Sequence, residues 1–175
     1  VVDEPSVVAI SAADRKMVAV GRKAQQMIGK GGTLINTVRP LRDGVIADFY
    51  ACEMMIRGMI KMIPKQNKLF TPNIRMVVCI PSGSTEVEIR AVRDSSEHAG
   101  GRDVYMIYEP MAAAIGMGID VESPEGCMVV DIGGGTTEIA VISLGGIVAN
   151  KSIKVAGDDL NADIVEYMGR MHNLR

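Results

Sequence analysis

The most informative stretch of this chain is DIGGGTTE, at positions 131–138. Asp131 follows the apolar run CMVV of residues 127–130, which is typical of a buried strand. Three consecutive glycines come next, and without Cβ atoms they let backbone N–H groups approach an anion closely. These glycines are Gly133, Gly134 and Gly135. The stretch therefore fits a phosphate-binding turn.

Polar side chains on both sides of the glycines fit the same interpretation. The hydroxyls of Thr136 and Thr137 could hold a phosphate oxygen or a water, and Asp131 could orient a hydrated Mg²⁺ ion. The alternative is a glycine-rich hairpin whose strand-terminal Asp131 is satisfied by turn amides. Glycine-rich loops are common, so the local pattern alone leaves both interpretations open.

Glu109 is the second candidate for chemistry. It follows the apolar run of residues 104–108 and precedes Pro110, which favours the first turn of a helix. Its carboxylate then lies at the carboxyl edge of a strand, where ligands of open α/β sheets collect. Together with Thr136 it could orient a water against a γ-phosphate. The alternative is that Glu109 only caps its helix.

The rest of the chain alternates short apolar strands with amphipathic helices, which predicts an α/β fold with a mixed sheet. Predicted strands are residues 7–10, 17–20, 74–80, 104–108, 127–130, 138–144 and 147–155. The polar turn between the first two predicts a hairpin, and the last three are predicted to form a hairpin meander. The run 74–80 is continuously apolar, as in strands buried on both faces of a parallel sheet. Predicted helices are residues 21–28, one from an Asp48 cap to a stop at Pro64, 85–99, 111–117, and a last one capped by Asp158 or Asp159. Residues 39–44 are predicted to be an irregular link.

Two of these helices carry a clear apolar stripe at spacings of three and four. In the helix after Asp48 the stripe is Cys52, Met55, Ile56, Met59, Ile60 and Ile63. In the last helix it is Leu160, Ile164, Val165, Met168 and Met171. Both stripes predict a face that packs against other parts of a core.

Composition excludes several classes of protein. Nineteen Lys and Arg against 21 Asp and Glu give a net charge of −2, so nucleic acid is not expected as a main partner. No apolar run approaches the roughly 20 residues of a membrane span. The three cysteines have no CxxC spacing, which predicts reduced thiols and neither disulfides nor a zinc site. The start VVDEP lacks a signal-peptide pattern, and we expect a chain cut from a longer one.

Four segments in order carry a resemblance to a known family. They are DEPSVVA at 3–9, RPLRDGVIAD at 39–48, EPMAAAIG at 109–116 and MVVDIGGGTTE at 128–138. The chain closely resembles the MreB family of bacterial actin homologues, the rod-shape-determining branch of the actin, chaperone and sugar-kinase ATPase superfamily. DIGGGTTE alone also fits the chaperones and sugar kinases, whereas the ordered set is specific to the rod-shape family.

The resemblance implies an actin-like (ribonuclease H-like) α/β fold of two lobes. It assigns residues 1–120 to the first lobe, with a small inserted subdomain at about 20–45, and residues 121–175 to the start of the second. The chain is expected to cross between the lobes at residues 121–126, where proline, glycine and acidic residues cluster. The family implies a slow ATPase that uses ATP and Mg²⁺ and polymerises into double protofilaments. Its members lie in the cytoplasm on the inner face of the cell membrane and guide cell-wall synthesis with membrane proteins of the elongation machinery.

The resemblance also implies roles for single residues. Asp131 to Thr137 would be the second phosphate loop, with Asp131 on the Mg²⁺ side, and Glu109 with Thr136 would position the attacking water. Gly157 and Asp158 resemble the residues that follow this phosphate hairpin in the family, and the resemblance implies that they bind the nucleotide with it. Ala156 stands where the family usually has glycine, and Tyr108 where it often has a second glutamate.

Two further segments resemble interaction sites of the family. Leu69 and Phe70, beside Lys65 and Lys68, resemble a hydrophobic loop that inserts into membrane. The alternative is a loop that folds back onto the core. The helix at 85–99 resembles the one that contacts the partner protofilament, with Val87 and Arg90 off its core face. The alternative there is a solvated helix face.

The family's first phosphate loop precedes the motif found here at residues 3–9, and its adenosine-contacting segments lie beyond residue 175. We therefore expect these 175 residues alone to bind ATP weakly or not at all. Two other functions stay open on the sequence: a non-enzymatic, truncated actin-like interaction module, and an ATPase of the chaperone or sugar-kinase type.

Overall fold

The computed structural model of the chain describes residues 1–30, 32–63 and 74–174, which form ten strands and five helices. The strands are β1 (Val8–Ser11), β2 (Met17–Val20), β3 (Ile35–Val38), β4 (Leu41–Arg42), β5 (Val45–Ile46), β6 (Ile74–Ile80), β7 (Gly101–Tyr108), β8 (Cys127–Ile132), β9 (Thr137–Ser143) and β10 (Gly146–Ile153). The helices are α1 (Arg22–Gln25), α2 (Phe49–Met62), α3 (Glu86–His98), α4 (Glu109–Gly116) and α5 (Gly157–His172).

The chain folds into two compact units. The first consists of Val1–Val77 and Glu86–Tyr105, and the second of Val78–Thr85 and Met106–Arg175. The lobes expected from the sequence, 1–120 and 121–175, have other bounds and stay a prediction, as does the subdomain at 20–45.

The first unit is built around an antiparallel sheet in the order β2–β1–β3. The predicted hairpin is confirmed, since Val8 lies opposite Val20. Strand β3 was not predicted, although its sequence INTV is rich in β-branched residues. Helix α2 packs closely on this sheet, because a Cβ atom at Gly58 would lie 2.8 Å from Cγ1 of Val20. Val8, Val20, Cys52 and Met55 form the core between them.

Helix α2 begins as the sequence predicts. The Oδ1 atom of Asp48 accepts the N–H of Ala51 at 2.9 Å, which confirms the cap. The helix ends at Met62, and its predicted stop, Pro64, lies outside the described residues. The preceding link at 39–44 is not irregular as predicted but belongs to a hairpin of β4 and β5. Asp43 and Gly44 have φ of 49° and 76°, and positive φ at two successive residues is what a tight two-residue hairpin requires.

Helix α1 is shorter than the predicted 21–28. The N–H of Gln26 still bonds the carbonyl of Arg22, four residues back, but the N–H of Met27 bonds Ala24, only three back. The chain therefore tightens into turns after Gln25 and stops being α-helical.

Strand β6 has the predicted bounds, but its burial corrects the sequence interpretation. Side chains along it alternate between half-buried and exposed, with Val77 69% exposed and Ile80 buried. It is therefore not buried on both faces as its continuous apolar run suggested. β6 pairs with β7, which begins at Gly101 and is thus three residues longer than predicted.

The second unit contains an antiparallel sheet in the order β10–β9–β8. The three strands and their order were predicted, with bounds that differ by at most two residues. Helix α4 packs on this sheet, where Ala114, Val129, Ala140 and Ile142 form the core. Glu138 stands opposite Asp131 on β8 and opposite Ser152 on β10.

Helix α5 differs from its prediction at its start and on its face. Ala156 is the N-cap, and Asp159 is the third helical residue, whose Oδ2 accepts the N–H of Ala156 at 3.0 Å. Neither Asp158 nor Asp159 is therefore the cap. Of the predicted stripe, Leu160, Ile164, Val165 and Met171 are each more than half exposed. Among the described residues, no helix has the length and apolar character needed to cross a membrane.

Candidate functional site

The glycine loop between β8 and β9 makes a tight turn with accessible backbone. The N–H of Gly133 donates to the carbonyl of Thr136 at 2.9 Å, and a Cβ at Gly133 would lie 3.2 Å from that oxygen. Gly133 and Gly134 are exposed. A Cβ atom at Gly134 would have no described atom within 4 Å. The turn is therefore exposed at Gly133 and Gly134, and binding of a phosphate there stays a prediction.

The start of α5 is fixed to this loop. The N–H groups of Gly157 and Asp158 donate to the carbonyls of Gly133 and Gly134 at 3.0 and 2.8 Å. A Cβ at Gly157 would lie 3.1 Å from the Gly133 oxygen, so this close approach needs glycine. These two amides therefore hold the loop in place, and the cofactor contact predicted for Gly157 and Asp158 stays a prediction. Ala156 has φ of −157°, extended backbone that any residue adopts, and its methyl is buried.

The two threonines after the glycines are both buried. The hydroxyl of Thr137 donates to the carbonyl of Val155 at 2.7 Å, which ties β9 to the segment before α5. Thr136 is 8% exposed at the end of the loop. Their predicted contacts with phosphate or water stay predictions.

Carboxylates from three elements converge beside the loop. Glu109 is the first residue of α4 and half-buried, and burial raises its pKa, with further increases from the charges of Glu138 and Asp131. Burial also raises the pKa of the Cys79 thiol on β6, followed by the charges of Glu109 and Asp131. The Glu109 carboxyl therefore keeps its proton to a higher pH than an ordinary glutamate. A cation would relieve the mutual repulsion of these groups.

The carboxylates beside the loop suit Mg²⁺ only if most of its ligands are water and phosphate oxygens. The described ranges contain no group of three His, Cys, Asp or Glu side chains that could hold a metal ion by themselves. Asp131 is half-buried in β8, just before the loop. Mg²⁺ commonly keeps several waters and takes one or two carboxylates plus phosphate oxygens, so Asp131 acting through water suits it.

Glu138 is the site residue that sequence reasoning missed. It is 1% exposed, and its Oε2 accepts hydrogen bonds from the backbone N–H of Ser82, at 3.0 Å, and from the Ser82 hydroxyl. Its Oε1 accepts from the Ser152 hydroxyl at 2.5 Å. Three donors on two oxygens suit a carboxylate, which only accepts. The sequence held a signal: Glu138 shares the inward face of β9 with Ala140 and Ile142, and an acid at such a position needs partners.

The remaining predicted residues belong to the two interaction segments. Val87 is 78% exposed and Arg90 is exposed on α3, as the prediction of a filament contact requires. Leu69 and Phe70 lie outside the described residues, so the membrane loop stays a prediction.

Comparison with solved structures defines the class of protein as actin-like. MreB5 of Spiroplasma citri bound to AMPPNP is 37% identical, with a TM-score of 0.86 over 98% of this chain and 51% of that one. Its ADP-bound structure matches equally well, over 99% of this chain. A structure of MamK, 18% identical with a TM-score of 0.73, shares the fold.

The chain belongs to the MreB/Mbl protein family, whose sequence pattern it matches over residues 1–175. It is 48% identical to the cell shape-determining protein MreB of Escherichia coli (strain K12), over 97% of this chain and 50% of that protein. It is 45% identical to the cell shape-determining protein Mbl of Bacillus subtilis (strain 168), over 99% of this chain and 52% of that protein. The chain thus spans about half the length of these relatives. The family and the actin-like fold predicted from the sequence are confirmed.

Proposed function

We propose that this chain is part of a cytoskeletal ATP-binding protein that polymerises into filaments on the inner face of the cell membrane. There it directs cell shape through cell-wall synthesis, together with membrane proteins of the elongation machinery. The observation that carries the proposal is the exposed glycine turn, held by the start of α5 and flanked by convergent carboxylates. Relatives named for cell shape, and a 37% identical relative solved with AMPPNP and with ADP, support it.

In this proposal each residue at the loop has one task. The backbone of Gly133, Gly134 and Gly135 would surround phosphate oxygens, and Asp131 would hold Mg²⁺ through water. Bound Mg²⁺ would neutralise charge on the phosphates. Glu109 and Thr136 position the attacking water, which is most of what protein groups do in phosphoryl transfer.

Hydrolysis is tested in the complete natural protein with Glu109→Ala and Thr136→Ala. Loss of a water-positioning group should slow phosphate release at saturating Mg-ATP by about 100-fold while nucleotide still binds. Tyr108→Ala, next to Glu109 and exposed, is the matched control and should hydrolyse at close to the parent rate. Unchanged phosphate release in both Glu109→Ala and Thr136→Ala would contradict the assignment.

Membrane association is tested by pelleting the complete protein with ATP and anionic liposomes. Leu69→Ser/Phe70→Ser should lose membrane pelleting but keep polymerisation, because apolar side chains anchor the filament. Leu34→Ser removes an exposed leucine elsewhere and should pellet normally. Normal membrane pelleting of the double variant would rule out the loop.

Self-association through α3 is tested with Val87→Glu and Arg90→Glu. Each should abolish double protofilaments seen by electron microscopy without lowering nucleotide affinity. Arg102→Glu on β7, also exposed, is the charge-reversal control. Double protofilaments in both Val87→Glu and Arg90→Glu would show that α3 does not form the contact between protofilaments.

The 175 residues by themselves are proposed to bind Mg-ATP weakly or not at all. The relative solved with bound nucleotide is about twice as long, so these 175 residues correspond to about half of that chain. Isothermal titration of the 175-residue chain checks this, and micromolar affinity would disprove it.

A further inference from the structure

The turn between β6 and α3 is held by three groups of the β9–β10 hairpin. The N–H and hydroxyl of Ser82 both donate to Glu138, and the carbonyl of Ser82 accepts from Nδ2 of Asn150 at 3.2 Å. Every polar atom of Ser82 is therefore bonded to that hairpin. Ser152, next to Asn150 on the same side of β10, holds the other carboxylate oxygen.

The approach at this turn is also close. A Cβ at Gly83 would lie 3.0 Å from Cβ of Ser152, so the backbone of residue 83 lies directly against β10. The turn itself closes with the N–H of Ser84 donating to Pro81. The contacts that fix it therefore come from Glu138, Asn150 and Ser152.

This turn belongs next to the candidate nucleotide site. Glu138, which accepts both hydrogen bonds from Ser82, stands opposite Asp131 on β8. Burial, followed by the charges of Glu109 and Asp131, also raises the pKa of the Cys79 thiol, three residues before Ser82. Glu138 also follows Thr136 and Thr137 directly in the chain, and both threonines are buried. A movement of the turn would thus be transmitted to the end of the phosphate loop.

We propose that Glu138 is a positioning residue of the nucleotide site, which acts through Ser82 to lock the β6–α3 turn to the β9–β10 hairpin and thereby fixes the phosphate loop for hydrolysis. The inference rests on the proposed nucleotide-binding function and adds a residue to it. Glu138 itself is buried and bonded to Ser82 and Ser152, so in this proposal it acts on the site through them. Its removal should affect turnover more than nucleotide affinity, because hydrolysis depends more steeply on geometry than binding does.

The test uses the complete natural protein and four variants: Glu138→Gln, Ser82→Ala, Ser152→Ala and Ser143→Ala. Ser143 is the matched control, since it also lies on β9 but its hydroxyl donates to the Pro124 carbonyl and makes no bond to Glu138, Ser82 or Ser152. We expect Glu138→Gln and Ser82→Ala to lower kcat by about tenfold or more while Kd for Mg-ATP changes less than about threefold. Glu138→Gln combined with Ser82→Ala should be no slower than the slower single variant, because both break the same contact.

A merely structural role predicts a different result. It would lower Tm in Glu138→Gln and Ser82→Ala but leave kcat of the folded enzyme, measured well below Tm, within twofold of the parent, and that outcome overturns the inference. Independent, multiplying effects of the two substitutions overturn it as well. If Glu138→Gln does not fold, Ser82→Ala and Ser152→Ala decide the question by the same criteria. A parent protein that neither binds nor hydrolyses Mg-ATP overturns the proposed function, and the inference falls with it, whereas an active parent with unaffected variants overturns the inference alone.

Discussion

Helices α2 and α5 have similar sequence patterns and opposite surroundings. Both carry an apolar stripe at spacings of three and four, and both are 14 residues or longer. In α2 the stripe packs on the β2–β1–β3 sheet, with Cys52 and Met55 in the core. In α5 no described residue is buried, and Ile164 is 61% exposed.

The comparison separates what an amphipathic pattern predicts from what it leaves undecided. Periodicity identifies the face that needs a partner, because apolar groups on one side favour removal from water. It does not say where the partner lies. The chain spans about half the length of its relatives, so the two stripes can have partners of different origin.

The largest expected difference between the helices is in core packing. Met55→Ala should destabilise the 175-residue chain by about 2–5 kcal/mol, because it leaves a cavity in the core. Ile164→Ala, on an exposed face, should change stability by no more than about 0.5 kcal/mol. Urea unfolding followed by circular dichroism measures both.

The same pair of substitutions sharpens the comparison in the complete natural protein. If further chain packs on α5, Ile164→Ala will cost clearly more there than in the 175 residues. Equal and small costs in both forms would show that the α5 stripe stays exposed to solvent. If Ile164→Ala lowered the stability of the 175-residue chain as much as Met55→Ala, the view that only the α2 stripe is packed in a core would be wrong.

Capping should differ by less. Asp48→Ala removes the side-chain cap of α2 and should cost about 1 kcal/mol. Asp159→Ala removes a bond from the third residue of α5 back to the N-cap N–H, and should cost about 0.5 kcal/mol. The midpoints of urea unfolding, compared at constant slope, give both values. Equal costs would mean that the two starts are equally well anchored.

The smallest expected difference is in ion pairs between residues four apart. In α2, Arg57 pairs with Glu53 at 2.7 Å and also donates through Nε to the carbonyl of His98 at 3.1 Å. In α5, Arg170 and Glu166 are 3.5 Å apart and both well exposed. Double-mutant cycles should give a coupling of about 1 kcal/mol for the first pair and about 0.3 kcal/mol for the second. A larger coupling in α5 would contradict the view that partial burial and the bond to His98 strengthen the α2 pair.

Much of the candidate site could be predicted from local pattern. The glycine loop between β8 and β9 and the place of Glu109 at the start of α4 follow from glycines after a strand and from a proline at a helix start. The hydrogen bonds between Glu138 and Ser82 could not be predicted, since the two residues are 56 positions apart in the sequence. Hydrogen bonds over such separations depend on how strands are arranged, and periodicity carries no information about that arrangement.

By itself, the sequence determined the order of most strands and helices, the family and the glycine-rich loop, because these depend on local propensity and on residues close together in the chain. The tertiary structure decided which apolar faces are covered and which carboxylates share a neighbourhood. It also decided that the first amides of α5 bond the carbonyls of Gly133 and Gly134. These are long-range contacts, and their energies depend on burial and distance, which exist only once the chain has folded.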